Sequence, residues 1–497
     1  MQEEDILKIR EIFNYTTRRR ALERVIADNK CRTIHLQGLC GSAAAIALST
    51  LKGIERDVIV VANDSEEAGY VYNDICQLCG DGKNVLFFPS GYKRAIKYGQ
   101  IDSANAILRT EVLGRLSRES GGAFIITSPE ALAEKVVSGK ELKKDTLHCK
   151  VGELYDMTEF ADKLFELGFE RCDYVYEPGQ YSVRGSIIDV FSYAGSYPFR
   201  IDFFDDEIDS IRSFDIETQL SKERVEEIDI IPDMAGGEKF GISILDFVKK
   251  DTIFAFADLA WACERIKNIA SESIATQLVL SEEGDMDAMQ KVVDADVFAE
   301  CILSFKRIDY GAKCYSKNFT TIKYETAPQP IYHKDFDKAA ESFTDFIKEG
   351  YKIYILSDSK KQIDRLADIF AERNNFITFT AVNKTIHEGF IDRENKLCFF
   401  TDHQIFDRFH KFNLKSDHVR SGKLALSLKE LKQIELGDYI VHIDYGIGRF
   451  GGLVRGNING YMQEMVKLVY QNNDMIFVSI HALHKLSKYK GKEGDAP

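Results

Sequence analysis

Thr33-Ile-His-Leu-Gln-Gly-Leu-Cys-Gly-Ser-Ala-Ala-Ala45 begins as a short apolar strand, turns at two glycines and continues into a helix. Further apolar runs predict buried strands at Val58–Ala62, Val85–Phe88 and Phe124–Ile126. The stretches between them predict helices at Ala43–Lys52, Ser65–Cys79 and Ala104–Arg118. Strands that alternate with helices are typical of βαβ units, so this region predicts an α/β domain with a mainly parallel sheet.

The turn at Gly38 lies where a phosphate-binding loop would lie, between a strand and a helix. Such a loop ends in Gly-Lys-Ser/Thr, whose lysine reaches the phosphates and whose hydroxyl binds Mg²⁺. Alanine occupies all three of those positions here. We therefore expect no catalytic residue and no ATP hydrolysis, and favour a tight turn over a weak anion site. We call this segment the degenerate loop, and its residues are Gly38, Gly41, Ser42, Ala43, Ala44 and Ala45.

From about Val151 to Thr218 the pattern changes to short strands with alternating polar and apolar residues. The predicted strands are Tyr181–Arg184, Ser186–Phe191 and Phe199–Phe204. This pattern, with turn residues between the strands, predicts an α+β module inserted into the first domain.

Two later regions each predict a further domain. Two of the eight prolines lie in Thr326–Pro330, which predicts a linker. After it, a strand at Lys352–Leu356 followed by a helix predicts a second, small α/β domain. After about Ser421 the pattern is all-β. Its strands are predicted at Tyr439–Ile443, Arg449–Arg455, Met465–Tyr470 and Met475–Ile480. Short strands joined by tight turns predict a small five-stranded barrel.

Composition limits the class of function. The net charge of −14 argues against a primary role in gripping nucleic acid, which needs a basic surface. The acidic start Met1–Asp5 is unlike a secretory signal, no apolar run is long enough to span a bilayer, and ten scattered cysteines fit a reducing compartment. We expect a cytoplasmic protein with no membrane partner. Cys76 and Cys79 have the C-x-x-C spacing of one ligand pair of a zinc site. No second pair follows, so no metal is expected.

The degenerate loop resembles the nucleotide loop of the UvrB repair helicase without its catalytic residues. Glu177–Phe191 and Pro198–Arg212 strongly resemble a signature that UvrB shares with the bacterial transcription–repair coupling factors. In both families this module binds UvrA. The resemblance implies that Arg184 and Arg200 reach acidic groups on UvrA and that Phe204 is an apolar anchor beside them. Strand alternation requires that only one of Phe203 and Phe204 points inward.

Leu436–Phe450, Met465–Tyr470 and Phe477–Ile480 resemble the polymerase-interacting domain that the coupling factors share with CarD-like regulators. The resemblance implies binding to the RNA polymerase β subunit through an exposed strand edge. The candidate contacts lie on the strand at 449–455 and the turn after it: Leu453, Val454, Arg455 and Ile458. If Val454 fills the barrel, Leu453 and Arg455 point outward; a bulge at Gly451-Gly452 would reverse this phase.

The resemblance to coupling factors is strong over 177–219 and 436–489, moderate over 33–137 and faint over 240–420. It implies a multidomain α/β chain that recruits UvrA to stalled RNA polymerase in nucleotide excision repair. The predicted parts are a degenerate UvrB-like domain of P-loop type (1–145 and 218–320), the UvrA-binding module (146–217), the small α/β domain (321–420) and a Tudor- or CarD-like polymerase-interacting barrel (421–497).

In the family a motor follows the barrel; it uses ATP and Mg²⁺ to translocate on double-stranded DNA. The sequence here reaches Pro497 without motor motifs, so we expect it to be the front half of a longer protein and to need no cofactor itself. Two alternatives are a UvrB-type ATP-dependent helicase and a CarD-like regulator without a repair function. The alanine triplet in the degenerate loop disfavours the first, and the signature at 177–219 disfavours the second.

Overall fold

The structure is a computed structural model, and it divides into two units, one of residues 1–139 and 235–414 and the other of residues 140–234 and 415–497. The residues that it describes are 2–13, 17–28, 30–80, 85–92, 103–117, 121–193, 197–216, 219–234, 241–280, 291–373, 377–408, 436–442, 445–458, 461–470, 474–479 and 486–488. No helix in these residues combines the length and apolar character needed to cross a membrane.

A seven-stranded sheet forms the centre of the first unit, and all of its strands are parallel. In spatial order the strands are Thr320–Lys323, Thr33–Gln37, Lys306–Asp309, Ile253–Phe256, Val58–Val61, Phe124–Thr127 and Val85–Phe88. The predicted parallel sheet is confirmed. The helices that accompany it are Ile6–Phe13, Thr17–Ala27, Ala43–Ser49, Ser65–Cys79, Ser103–Leu116, Pro129–Leu132, Ile244–Phe247, Leu259–Leu280 and Ala295–Cys301, the last followed by the 3₁₀ turn Ile302–Ser304. The helix Gly139–Asp145 belongs to the second unit except for its first residue.

A mixed six-stranded sheet forms the rest of the first unit. Its strands in order are Gln2–Glu4, Thr380–Val382, Lys352–Leu356, Leu397–Thr401, Phe390–Asp392 and Thr326–Pro328. Its helices are Phe336–Lys348, Lys360–Glu372 and Asp402–Ile405. The predicted strand at 352–356 and the helix after it are confirmed. Phe13 packs against Tyr324, Phe390 and Phe399, so one buried cluster joins this sheet to the parallel sheet.

The 140–234 part of the second unit is built on a six-stranded sheet whose order is Ser221–Val225, Glu207–Phe214, Phe199–Phe204, Ile187–Val190, Gln180–Arg184 and Glu170–Arg171. One face packs against the helix Met157–Glu166 around Phe160, Ile188 and Ile201. A two-stranded sheet pairs Leu147–Lys150 with Glu227–Ile230. Strand pairing in this part therefore continues past residue 217, where the sequence places the end of the module.

The 415–497 part contains a five-stranded antiparallel sheet in the order Met475–Ser479, Tyr461–Val469, Gly446–Ile458, Tyr439–His442 and Leu486–Lys488. Its core includes Ile440, Phe450, Val466 and Leu468. The five strands agree with the predicted all-β region. Closure of the sheet into a barrel remains a prediction.

Candidate functional site

The degenerate loop is held against the chain's own backbone. Gly38 has a positive φ of 87°, and a Cβ at this position would lie 2.1 Å from the carbonyl oxygen of Tyr324. The hydroxyl of Thr326 donates to the Gly38 carbonyl and accepts from the Cys40 amide, both at 2.8 Å. The glycine is therefore required by close packing of two strands, which is a structural use of a residue type that phosphate loops also need.

Ser42 connects this loop to the segment His387–Gly389. The Ser42 hydroxyl donates to Asp74 at 2.5 Å and accepts from the Glu388 amide at 2.9 Å. The Ser42 amide donates to the Glu388 carbonyl at 3.2 Å, and the His387 amide donates to Asp74 at 2.8 Å. The backbone and side chain of Ser42 are thus bonded within the protein.

Asp74 is the buried centre of this arrangement. Burial raises its pKa to about 7, although the hydrogen bonds from Ser42 and His387 act in the opposite direction. The His387 ring stacks on Tyr70 with 3.5 Å between ring centroids, which fixes the segment that meets the loop. No local pattern predicts this contact, because Ser42 and Glu388 are 346 residues apart.

Arg184 and Arg200 lie on the sheet face opposite the apolar core, and both bind the same carboxylate. Arg200 donates to both oxygens of Asp189, at 2.7 and 2.9 Å, and Arg184 also donates to Asp189. The Asp189 side chain is fully buried, whereas 37% of the Arg184 side chain and 19% of the Arg200 side chain are exposed. The structure therefore brings the two predicted arginines together, on an aspartate to which the sequence assigns no role.

Aromatic rings fix the two arginines further. The Arg184 guanidinium lies 4.9 Å from the centroid of the Tyr174 ring, and that of Arg200 lies 4.6 Å from the Phe214 ring. Arg200 also donates to the Gln219 carbonyl. Because Arg200 is held on several sides, Arg184 is the more available of the two for an outside partner.

Phe204 and Phe203 take opposite faces of the sheet, as strand alternation requires. Phe203 is 4% exposed and packs against Phe160, whereas Phe204 is 78% exposed. Glu207 lies opposite Phe204 on the next strand, and Leu154 lies opposite Glu207 on the far side of that strand. Leu154 is 76% exposed. An exposed apolar tip thus lies at the end of the arginine-bearing face, and Leu154 is a member that the sequence did not suggest.

The candidate polymerase contacts lie on the long strand Gly446–Ile458. From Leu453 onward this strand pairs with Tyr461–Val469, and no other described strand pairs with its second edge. A register shift falls between Phe450 and Leu453, so the predicted bulge at Gly451-Gly452 is present. Leu453 pairs with the buried Val466, which places it on the core face although 46% of it is exposed.

The bulge decides between the two phases left open by the sequence. Val454 pairs with Met465, which is buried, and is itself half-buried, whereas Arg455 is exposed. Of the two phases, the pairing is the one that a bulge produces, because the extra residue places Leu453, and not Val454, opposite Val466 of the buried cluster. Exposure of Leu453 and Arg455 agrees with the prediction. Ile458 ends the strand, opposite Tyr461.

Cys76 and Cys79 lie in the helix Ser65–Cys79, and the described residues contain no group of three or more His, Cys, Asp or Glu side chains arranged to hold a metal ion.

Two parts of the chain match known domain families. Residues 147–235 match the family model of the UvrB interaction domain, and residues 434–490 match the model of the CarD-like/TRCF RID domain. The first match covers the sheet with Arg184, Arg200 and Phe204, and the second covers the five-stranded sheet.

The similar proteins are transcription-repair-coupling factors. That of Bacillus subtilis (strain 168) is 24% identical over 93% of this chain and 45% of its own length. That of Staphylococcus haemolyticus (strain JCSC1435) is 24% identical over 94% of the chain and 46% of its length. The predicted resemblance to this family is confirmed, and the chain spans less than half the length of the relatives it matches.

Proposed function

We propose that this chain is a non-catalytic platform that recruits UvrA to stalled RNA polymerase in nucleotide excision repair. One sheet face would bind UvrA, and the free edge of Gly446–Ile458 would bind the polymerase β subunit. The observation that carries the proposal is that a partly exposed Arg184 and an exposed Phe204 lie on the same polar sheet face. Arginine and aromatic side chains are favoured anchors because they combine large area with directional contacts.

The proposed contact with polymerase is an added strand. The edge from Leu453 onward offers backbone groups for pairing, and side chains beside it would supply register and selectivity. Leu453 and Arg455 are the exposed side chains there, with Ile458 at the end of the strand. Docking of this kind needs no nucleotide.

Nucleotide chemistry is proposed to lie outside this chain. The degenerate loop lacks the lysine and hydroxyl that a phosphate site uses, and Ser42 is bonded to Asp74 and Glu388. These residues do not fit Mg²⁺–ATP. The longer protein, by likeness to the coupling factors, would carry a motor that uses ATP and Mg²⁺ on double-stranded DNA.

The test is capture of purified UvrA and purified polymerase β subunit by the immobilised chain, separately and together. We expect the wild type to hold both at once. Arg184→Ala with Phe204→Ala should lower UvrA affinity by at least about 2 kcal/mol, which is about 30-fold, and leave β binding unchanged. Leu453→Arg should weaken β binding and leave UvrA binding unchanged. Arg200→Ala should also weaken UvrA binding, in part through the loss of its bonds to Asp189.

Two exposed residues supply matched controls. Phe165 is 70% exposed on the helix that packs against the opposite face of the UvrA-binding sheet, so Phe165→Ala should keep UvrA. Phe477 is 51% exposed on a different strand from Leu453, so Phe477→Arg should keep β. Failure of the wild type to hold UvrA, or equal losses in the Phe165 and Phe204 variants, would refute the UvrA assignment.

A further inference from the structure

The arginine-bearing face of the UvrA-binding sheet continues past Arg200. Arg200 pairs with Arg212 on the next strand, and Arg212 pairs with Arg224 on the strand beyond it. Residues directly opposite on adjacent strands share a face, with Cβ atoms about 5 Å apart. Three arginines therefore form one row across three strands, which we call the arginine row.

Negative charge near the row comes from Asp189 and from Asp202, which lies two residues along the strand from Arg200. Asp189 is directly opposite Arg200 and is already shared with Arg184. Arg212 donates to the Ser210 hydroxyl at 3.1 Å, and its buried Nε has no hydrogen-bond partner among the described residues. Within the same part of the chain, neither Arg212 nor Arg224 has a carboxylate within ion-pair distance. Like charges directly opposite each other on a sheet are destabilising, so this arrangement carries a cost in the free protein.

We propose that the arginine row extends the UvrA-binding site and receives a line of carboxylates on UvrA. This inference rests on the proposed binding of UvrA and adds Arg212 and Arg224 to the contacts. The row begins at Arg200, which shares Asp189 with Arg184 and lies on the same face of its strand as the exposed Phe204, so the two surfaces are continuous on one face. Paired carboxylates would relieve the repulsion within the row and satisfy the guanidinium groups that the chain leaves open.

An acidic protein surface fits the row better than nucleic acid does. Adjacent strands lie about 4.8 Å apart, so the row from Arg200 to Arg224 is only about 10 Å long. The whole chain carries a net charge of −14, which would repel a long polyanion on both sides of so short a strip. A compact set of carboxylates on a folded partner needs no wider basic surface.

The experiment measures UvrA affinity by the full chain across a series of salt concentrations. Arg212→Gln is expected to weaken binding about tenfold and Arg224→Gln about threefold, since Arg212 is the more enclosed of the two. Both variants should also lower the dependence of binding on salt, because each removes an ionic contact. Arg212→Lys should restore part of the loss. Arg171→Gln is the matched control, since Arg171 is exposed on the edge strand opposite the core residue Tyr181.

The outcomes separate this inference from the proposed function. If the wild type binds UvrA and the Arg184 and Phe204 variants do not, while Arg212→Gln and Arg224→Gln bind like the wild type, the row is not part of the site. If the wild type does not bind UvrA, the proposed function itself fails. Binding of a short DNA duplex by the wild type that Arg212→Gln abolishes would overturn the choice of a protein partner. Thermal unfolding of each variant checks that the sheet is intact.

Discussion

The degenerate loop and the arginine-bearing sheet face differ in where their polar groups are directed. In the loop, Ser42 is bonded to Asp74 and Glu388 of the same chain. On the sheet face, Arg184 is only partly satisfied by Asp189 and Phe204 is almost fully exposed. A segment that resembles an enzyme's site has thus become part of the core, whereas the exposed face keeps groups that can contact a partner.

This difference indicates which kinds of substitution each region tolerates. Groups in the loop are bonded internally, so substitutions there should act on stability. Groups on the sheet face are shared between internal support and outside contact, so substitutions there should separate into those that damage the sheet and those that change only binding. Asp189 belongs to the first kind, and Phe204 to the second.

Asp189→Ala should have the largest effect. It leaves Arg184 and Arg200 without their shared carboxylate, and removing one partner of a buried ion pair costs about 3–5 kcal/mol of unfolding free energy. UvrA capture should fall with it, because the arginines lose their positions. Urea denaturation measures the first effect. Phe204→Ala, at an exposed site, should leave the unfolding free energy unchanged within about 0.5 kcal/mol. Equal stability of the Asp189 variant and the wild type would show that the carboxylate has no supporting role.

The cost of a Gly→Ala substitution at positive φ can be compared between the two regions. A Cβ at Gly38 would meet the Tyr324 carbonyl at 2.1 Å, whereas a Cβ at Gly185, between two strands of the sheet that carries Arg184, would have nothing within 4 Å. Gly38→Ala should lower the unfolding free energy by about 2–4 kcal/mol, from backbone strain and overpacking together. Gly185→Ala should cost about 1 kcal/mol, from strain alone. Chemical denaturation of both variants in one buffer measures the difference, and a larger cost at Gly185 would contradict the comparison.

Asp74 should make stability depend on pH. Its pKa is raised to about 7 by burial, so the folded protein holds this proton more tightly than the unfolded chain does. The unfolding free energy should therefore fall as the pH rises from about 4 to 7, by up to about 1.4 kcal/mol per pH unit from this group. Asp74→Asn keeps the shape and removes the titration, so the difference in stability between the variant and wild type should change across that range. A constant difference would refute the role assigned to Asp74.

The parts that sequence predicted correctly are those set by local patterns. Val58–Val61 and Val85–Phe88 are short apolar runs of the kind that is typical of buried strands. Phe203 and Phe204 follow strand alternation.

The parts that sequence missed depend on pairing between distant residues. Ser42 meets Glu388 only after two sheets have packed together, and no local pattern marks that contact. The shared carboxylate and the arginine row depend on cross-strand register, which must be known before Asp189, Arg200 and Arg212 are seen to be neighbours. At Gly451-Gly452 one extra residue decides between the two phases that the strand pattern leaves open for Leu453 and Val454.

The smallest change is expected in nucleotide binding, when the phosphate motif is rebuilt. Ala43→Gly, Ala44→Lys and Ala45→Thr together would restore the pattern of a phosphate-binding loop. We expect the triple variant still not to bind Mg²⁺–ATP, because the Ser42 amide remains bonded to Glu388 and the Glu388 Cβ lies 3.1 Å from the Cβ position of Gly41. Calorimetric titration with Mg²⁺–ATP measures this. A further variant that adds Glu388→Gly is the comparison, since it removes that side chain from the loop. Micromolar binding by the triple variant alone would show that the missing lysine and hydroxyl, and not the chain's own segment, keep nucleotide out.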